Sequence, residues 1–148
     1  MIVPMLLNHI GEVEAIERES FSDPWSKQSF FELLCNPFAV CFSAIDTDSS
    51  TNEQVVGYII IYHVFTEGQI LNIAVKDTHR GQKIATELFN TVLEYAQKEK
   101  IESITLEVRP SNSHAVGLYK KFGFKQTGIR KNYYKKPLED AAIMTLIL

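Results

Sequence analysis

The stretch Ile73-Ala74-Val75, followed closely by His79-Arg80-Gly81-Gln82-Lys83-Ile84-Ala85-Thr86, decides how this chain folds. A β-branched strand, Gln69 to Val75, is entered through Glu67-Gly68 and ends here. The apolar period then changes. Ile84, Leu88, Val92, Leu93 and Ala96 mark one face of a long helix. That helix closes near Lys98 and Lys100, cations that suit its negative end. A helix N-terminus presents unpaired N–H groups and a positive dipole end, so it can hold a pyrophosphate. Gly81 and Ala85 are small enough for close approach, and Arg80 adds a cation. Many ordinary helix starts share these features. Neither the Walker-A nor the dinucleotide glycine fingerprint is present, which argues against ATP and NAD.

Working outward, Ile101 to Val108 is the next strand, with Ile104, Leu106 and Val108 on one face. Ser111 or Asn112 caps a helix running through Lys121, and Gly123 stops it. Phe124 to Tyr134 and Ala142 to Leu148 form an antiparallel pair around Pro137. Towards the N-terminus, Val40 to Ile45 and Val55 to Val64 are strands, joined by the polar loop 46–53. Ile2 to Leu6 is a short strand, and Asn8 caps a helix carrying Ile10, Val13 and Ile16. Past Pro24, Ser26 caps a second helix with Phe30, Leu33 and Leu34 inward. The order βααβββαβαββ predicts an α/β (α+β) domain spanning 1–148, a mixed sheet with helices on its faces.

A chain of 148 residues can bury one sizeable core, and 45% hydrophobic with 22% charged residues is ordinary for a globular domain. No apolar run is long enough to span a membrane, and Met1 to Leu7 lacks the marks of a signal peptide. Cys35 and Cys41 then read as reduced, core-facing thiols of a cytoplasmic protein. Net charge of −3 argues against a nucleic-acid backbone as ligand. Glu12, Glu14, Glu17, Glu19 and Asp23 crowd one segment, either as a solvated face or as a surface for a basic peptide. Arg130, Lys131, Lys135 and Lys136 crowd another. His9, His63, His79 and His114 have no metal-ligand spacing, so no metal is expected.

The second informative place is Leu106-Glu107-Val108-Arg109-Pro110-Ser111-Asn112, followed by Gly117-Leu118-Tyr119-Lys120-Lys121-Phe122-Gly123-Phe124. Alternation points Glu107 away from Leu106 and Val108, and a carboxylate on a sheet face is paired, exposed or at work. Read singly, Glu107 can be the partner of Arg109, Asn112 a plain cap, and Tyr119 a core ring.

Together, in this order and spacing, the two places resemble the GNAT acetyltransferases over residues 71–124. Outside that span, Phe21-Ser22-Asp23-Pro24-Trp25-Ser26, Asn72-Ile73-Ala74-Val75, Arg130-Lys131-Asn132-Tyr133-Tyr134 and Glu139-Asp140-Ala141 resemble the RimI-type branch. That branch acetylates the N-terminal alanine of the eighteenth small-subunit ribosomal protein. The resemblance implies the GNAT fold, a mostly antiparallel sheet of about seven strands with helices on both faces. It implies acetyl-CoA as acetyl donor, a ribosomal protein tail as substrate, and no nucleic acid, membrane or metal partner.

The implied sites follow residue by residue. Ile73, Ala74 and Val75 match the strand that holds the acetyl and pantetheine part. Gly81, Gln82, Lys83, Ile84, Ala85 and Thr86 match the pyrophosphate loop, and Asn112 a further coenzyme contact. Glu107 matches the general base and Tyr119 the general acid; Trp25, Tyr133 and Tyr134 fall where the family shapes its peptide groove. Lys83 departs from the pattern, standing where the family has a glycine, so its side chain must point outward or coenzyme affinity falls. A working base also requires Glu107 to stay apart from Arg109, since a close cation would weaken it. The competing readings are a GNAT enzyme for another N-terminus, a lysine or a small amine, and a non-catalytic acyl-CoA-binding protein.

Overall fold

The computed structural model describes residues 1–47 and 53–148; most of the predicted loop 46–53 lies outside the described residues. The elements are β1 (Ile2–Pro4), α1 (Ile10–Ser20), α2 (Lys27–Cys35), β2 (Ala39–Asp46), β3 (Gln54–Val64), β4 (Glu67–Val75), α3 (Ile84–Lys98), β5 (Ser103–Val108), α4 (Ser113–Lys121), β6 (Lys125–Lys135) and β7 (Leu138–Ile147). They build one seven-stranded sheet in the order β1-β2-β3-β4-β5-β7-β6. Only the β4–β5 pair is parallel; the others are antiparallel.

Alternation along β3 explains the two layers of core. Ile59 and Ile61 face α3 and α4, packing with Leu88, Phe89, Val92 and Tyr119. Tyr58 and Ile60 face α1 and α2, packing with Val13, Ile16 and Phe30. One strand thus feeds both faces, as a central strand covered on each side must. Gly57 lets α3 begin close over this sheet, because a Cβ there would stand 3.2 Å from both the Ala74 carbonyl oxygen and Ile84 Cγ2.

The feature that makes room for a site is the separation of β4 from β5. Their pairing runs only from Glu67 opposite Ser103 to Gln69 opposite Thr105. Immediately beyond, Leu71 is an extra residue between Ile70, opposite Ile61, and Asn72, opposite Ile60. A bulge bends a strand and sharpens its twist. From there Asn72 to Val75 keep β3 as neighbour and leave β5, so a wedge opens in the middle of the sheet.

Three local expectations need correction. The first helix is capped at His9 rather than Asn8, because a 3₁₀ turn at Leu7–His9 leads into α1. The last strand begins at Leu138, four residues before the expected Ala142, since the hairpin with β6 is tight around Pro137. Cys35 is exposed at the end of α2 instead of facing the core, while burial pushes the half-buried Cys41 thiol up to about 11. Ser26, Asn112 and Gly123 act as read: Ser26 Oγ accepts from the Ser29 N–H at 3.2 Å, and Asn112 Oδ1 from the Ala115 N–H at 3.2 Å. Gly123, past the end of α4, takes φ 97°.

Candidate active site

The wedge exposes one edge of β4. The Lys76 N–H donates to the Val56 carbonyl at 2.7 Å, so by antiparallel alternation the main-chain groups of Ala74 and Asn72 also turn to β3. Those of Ile73 and Val75 therefore face the opening. Their directions are visible in two other bonds: Arg80 Nε donates to the Val75 carbonyl at 3.3 Å, and the Ile73 N–H to Asn72 Oδ1 at 3.2 Å. No strand among the described residues pairs with this edge, and an extended, amide-bearing ligand can do so by displacing the Asn72 and Arg80 side chains from it.

Next to that edge lies the loop into α3. Gly81 has φ 79° and open space where a Cβ would sit. Lys83 is the helix N-cap in left-handed geometry, φ 64°, and its side chain makes no capping hydrogen bond. The first bond of the helix runs from the Glu87 N–H to the Lys83 carbonyl at 3.0 Å. Ile84, Ala85 and Thr86 thus bring N–H groups with no intrahelical partner to the mouth of the wedge. Lys83 is exposed. The geometry fits a pyrophosphate, and the adjoining strand edge fits the amide chain of a pantetheine. Asn112 is an exposed cap whose carbonyl oxygen is already engaged by Ala115.

On the opposite wall, Glu107 lies on the part of β5 that has left β4. Leu106 and Val108 enter the core beneath α3 and α4, so Glu107 emerges on the other face. Its side chain is 14% exposed, with Arg130 Nε 3.2 Å from Oε1. Oε2 is buried with no hydrogen-bond partner among the described residues. Arg109 is not its counter-ion. Arg109 pairs with Glu139 at 3.3 Å, donates to the Pro137 and Lys136 carbonyls, and lies 4.2 Å over the Tyr134 ring.

Tyr133 and Tyr134 reach this place through a distortion of the last hairpin. Arg130 pairs with Ala141 and Tyr134 with Glu139, so three residues of β6 bulge opposite Asp140 alone. Asn132, at φ 55°, turns the chain there, and its N–H is held by Asp140 Oδ1 at 2.8 Å. The two rings meet edge to face at 5.0 Å. Burial pushes the Tyr133 hydroxyl up, and its hydrogen bond with Glu107 adds to this. Burial likewise pushes Tyr134 up to about 12, with Tyr133 and Glu107 next in effect. Tyr119 is 7% exposed, wedged between Phe89 and Phe124, and burial holds its hydroxyl well above the ordinary tyrosine range, with Tyr134 adding to it. Glu107, Tyr133, Tyr134 and Tyr119 are therefore electrostatic neighbours.

Trp25 belongs to a different wall. With Leu33, Tyr62, Leu71 and Glu32 it lines an open groove of about 300 Å³ between α2 and the sheet. The loop before it touches the last hairpin, where Ser22 Oγ donates to the Lys136 carbonyl.

Reading the chain by residue type misplaced Glu17. It does not stand on an acidic surface; it is 1% exposed and bonded to Tyr58, Asn72 and the Trp25 N–H. The signal was available in helical spacing, since Ile10, Val13 and Glu17 share one stripe of α1. Glu12 and Glu19 stay exposed, and their carboxylates accept the main-chain N–H groups of Val55 and Asp77. Among the described residues there is no group of three His, Cys, Asp or Glu side chains placed to hold a metal, and no helix long and apolar enough to cross a membrane.

A strand edge and an uncapped helix N-terminus on one side of a split sheet, with a carboxylate and tyrosines on the other, define an acyl-coenzyme A transferase architecture. The acetyltransferase (GNAT) family model matches residues 10–124, and the chain belongs to that family. A Bacillus subtilis (strain 168) protein, provisionally named a ribosomal protein bS18-alanine N-acetyltransferase, is 45% identical over 141 residues, 95% of this chain and 90% of the relative. The crystal structure of the ribosomal-protein-S18-alanine N-acetyltransferase from Escherichia coli superposes with a TM-score of 0.89 at 27% identity, covering 99% of this chain and 92% of that one. A chain of the NatC complex bound to Gag peptide and CoA superposes with a TM-score of 0.88 at 25% identity, covering 100% and 98%.

Proposed function

We propose that this chain transfers the acetyl group of acetyl-CoA to the α-amine of the N-terminal alanine of ribosomal protein bS18, in the cytoplasm. The observation that carries the reading is the placement of Glu107: a carboxylate with one unpartnered oxygen, beside Tyr133 and Tyr134, on the strand that leaves the wedge. The names of the similar Bacillus and Escherichia proteins support the substrate.

Acetyl-CoA supplies an acetyl thioester. The main-chain edge at Ile73 to Val75 aligns its amide arm, and Gly81 to Thr86 receive its pyrophosphate. A free α-amino group has a pKa of about 7.7–8.0, so much of it is protonated near neutral pH. Glu107 takes the amine's proton as its nitrogen forms the new C–N bond. The C–S bond breaks, and Tyr119 returns a proton to the departing sulfur. Burial keeps Tyr119 protonated but also makes it a weaker acid. A thiolate formed in the same water-poor space is raised for the same reason, which restores the driving force. Trp25, Tyr133 and Tyr134 shape the peptide's entry.

A peptide panel varied only at the first residue tests the substrate. Alanine-starting ribosomal tails are expected to be acetylated with the highest kcat/KM. Equal or faster transfer to lysine side chains or small amines would replace this reading with a broader one.

A further inference from the structure

The buried carboxylate of Glu17 takes no part in the chemistry above, yet it touches both substrate walls. Oε2 accepts the Trp25 N–H at 2.9 Å, and Oε1 accepts from the Tyr58 hydroxyl and from Asn72 Nδ2. Three donors converge on one carboxylate, so both of its oxygens are engaged although the group is buried. Burial pushes the Glu17 carboxyl up, while the hydrogen bonds from Tyr58, Trp25 and Asn72 pull against that rise.

Each partner has a consequence. The Trp25 bond pins the loop between α1 and α2 at the point where Trp25 walls the groove with Leu71 and Tyr62. The Asn72 bond fixes that amide's orientation: with Nδ2 on Glu17, Oδ1 is left to accept the Ile73 N–H at 3.2 Å. Asn72 directly follows the bulged Leu71 that splits the sheet. Tyr58 anchors the carboxylate in the core, where it is fully buried against Phe30.

We infer that Glu17 is a positioning residue for transfer: one buried carboxylate sets the peptide-side loop at Trp25 and the coenzyme-side strand edge at Ile73 in a fixed relation. The inference rests on the reading of Trp25 as a wall of the peptide groove. A purely structural role would make Glu17 one more contributor to stability, as Tyr58 is.

Two variants separate these. Glu17→Gln is the same shape but replaces one acceptor oxygen by a donor. In either orientation its amide nitrogen meets the Trp25 N–H or forces Asn72 to turn. Tyr58→Phe removes only the core-side bond. Well below the melting temperature, Glu17→Gln is expected to lower kcat/KM for the peptide by about tenfold, the scale of a lost charged hydrogen bond. Tyr58→Phe is expected to stay within about twofold of wild type while melting earlier, since Asn72 Nδ2 still holds Oε1 and the Trp25 N–H still holds Oε2. Wild-type kcat/KM in Glu17→Gln, or an equal fall in both variants, would overturn the inference. Trp25 is the single tryptophan of the chain, so its fluorescence reads the loop without any substrate. Greater acrylamide quenching in Glu17→Gln than in Tyr58→Phe supports the link even if the ribosomal peptide proves to be the wrong substrate. Equal quenching in wild type and both variants contradicts it.

Discussion

Glu107, near the end of β5, and Arg109, just past that end, stand two residues apart, yet their side chains go to different partners. Glu107 pairs with Arg130 at 3.2 Å and Arg109 with Glu139 at 3.3 Å. Both partners lie on the last hairpin, so the end of β5 and the residue just past it hold that hairpin at two points. The split frees Glu107 from Arg109 but puts Arg130 in its place as the close cation, so Glu107 acts as a base only through its unpartnered Oε2 or once Arg130 swings away. Arg109 does more than balance charge: its guanidinium grips the Lys136 and Pro137 carbonyls and covers Tyr134.

Arg109→Met should therefore loosen the tyrosine wall without touching Glu107. It is expected to cost about 1.5–3 kcal/mol, the range for hydrogen bonds to a charged group. Peptide KM should rise severalfold and acetyl-CoA KM stay constant. Denaturant melts and steady-state kinetics check both, and an unchanged peptide KM would remove the hairpin turn from substrate binding.

Glu107→Gln should cut kcat by about 10²–10⁴, the usual worth of a general base, while acetyl-CoA binding by calorimetry stays at the wild-type value. Tyr119→Phe should lower kcat in the same direction, and it keeps the ring packed between Phe89 and Phe124. Wild-type turnover in either variant removes that residue from the mechanism.

Lys83 takes a left-handed conformation that disfavours any residue with a Cβ. Lys83→Gly should stabilise the fold by about 0.5–1 kcal/mol, the left-handed penalty less the chain entropy that glycine costs. Chemical denaturation measures this. A loss of stability would mean that the exposed lysine makes contacts that outweigh its backbone strain.

Tyr134 is pushed up to about 12, and Tyr58 and Tyr119 are also held above the ordinary tyrosine range, in each case by burial first. The folded state prefers these phenols protonated. Their contribution to stability is whole below about pH 10 and is lost as pH rises through the raised values. Phenolate absorbance from these three should appear together with the loss of circular dichroism. Ionisation of all six tyrosines while the fold persists would contradict their burial.

Much of this was legible in the residues. Period-two runs such as Ile104-Leu106-Val108 and the stripe Ile84-Leu88-Val92 define strand and helix because burial repeats with each geometry. The order of elements followed, and so did the caps at Ser26 and Asn112. What stayed hidden depends on contacts between distant segments. The bulge at Leu71, the wedge between β4 and β5, and the excursion around Asn132 leave no local mark. Glu17 looked like one acid among five, and only its place on the Ile10–Val13 stripe distinguished it. Arg109's turn towards Glu139 needed the hairpin folded back over β5.

The central claim is acetyl transfer to an N-terminal α-amine at the wedge. The most direct test is the mass of an alanine-starting ribosomal tail peptide, with its lysines intact, after incubation with acetyl-CoA and the protein. The expected result is a gain of one acetyl group, located on the α-amine by fragmentation, and lost with Glu107→Gln. No gain, or acetyl on a lysine side chain, would contradict it.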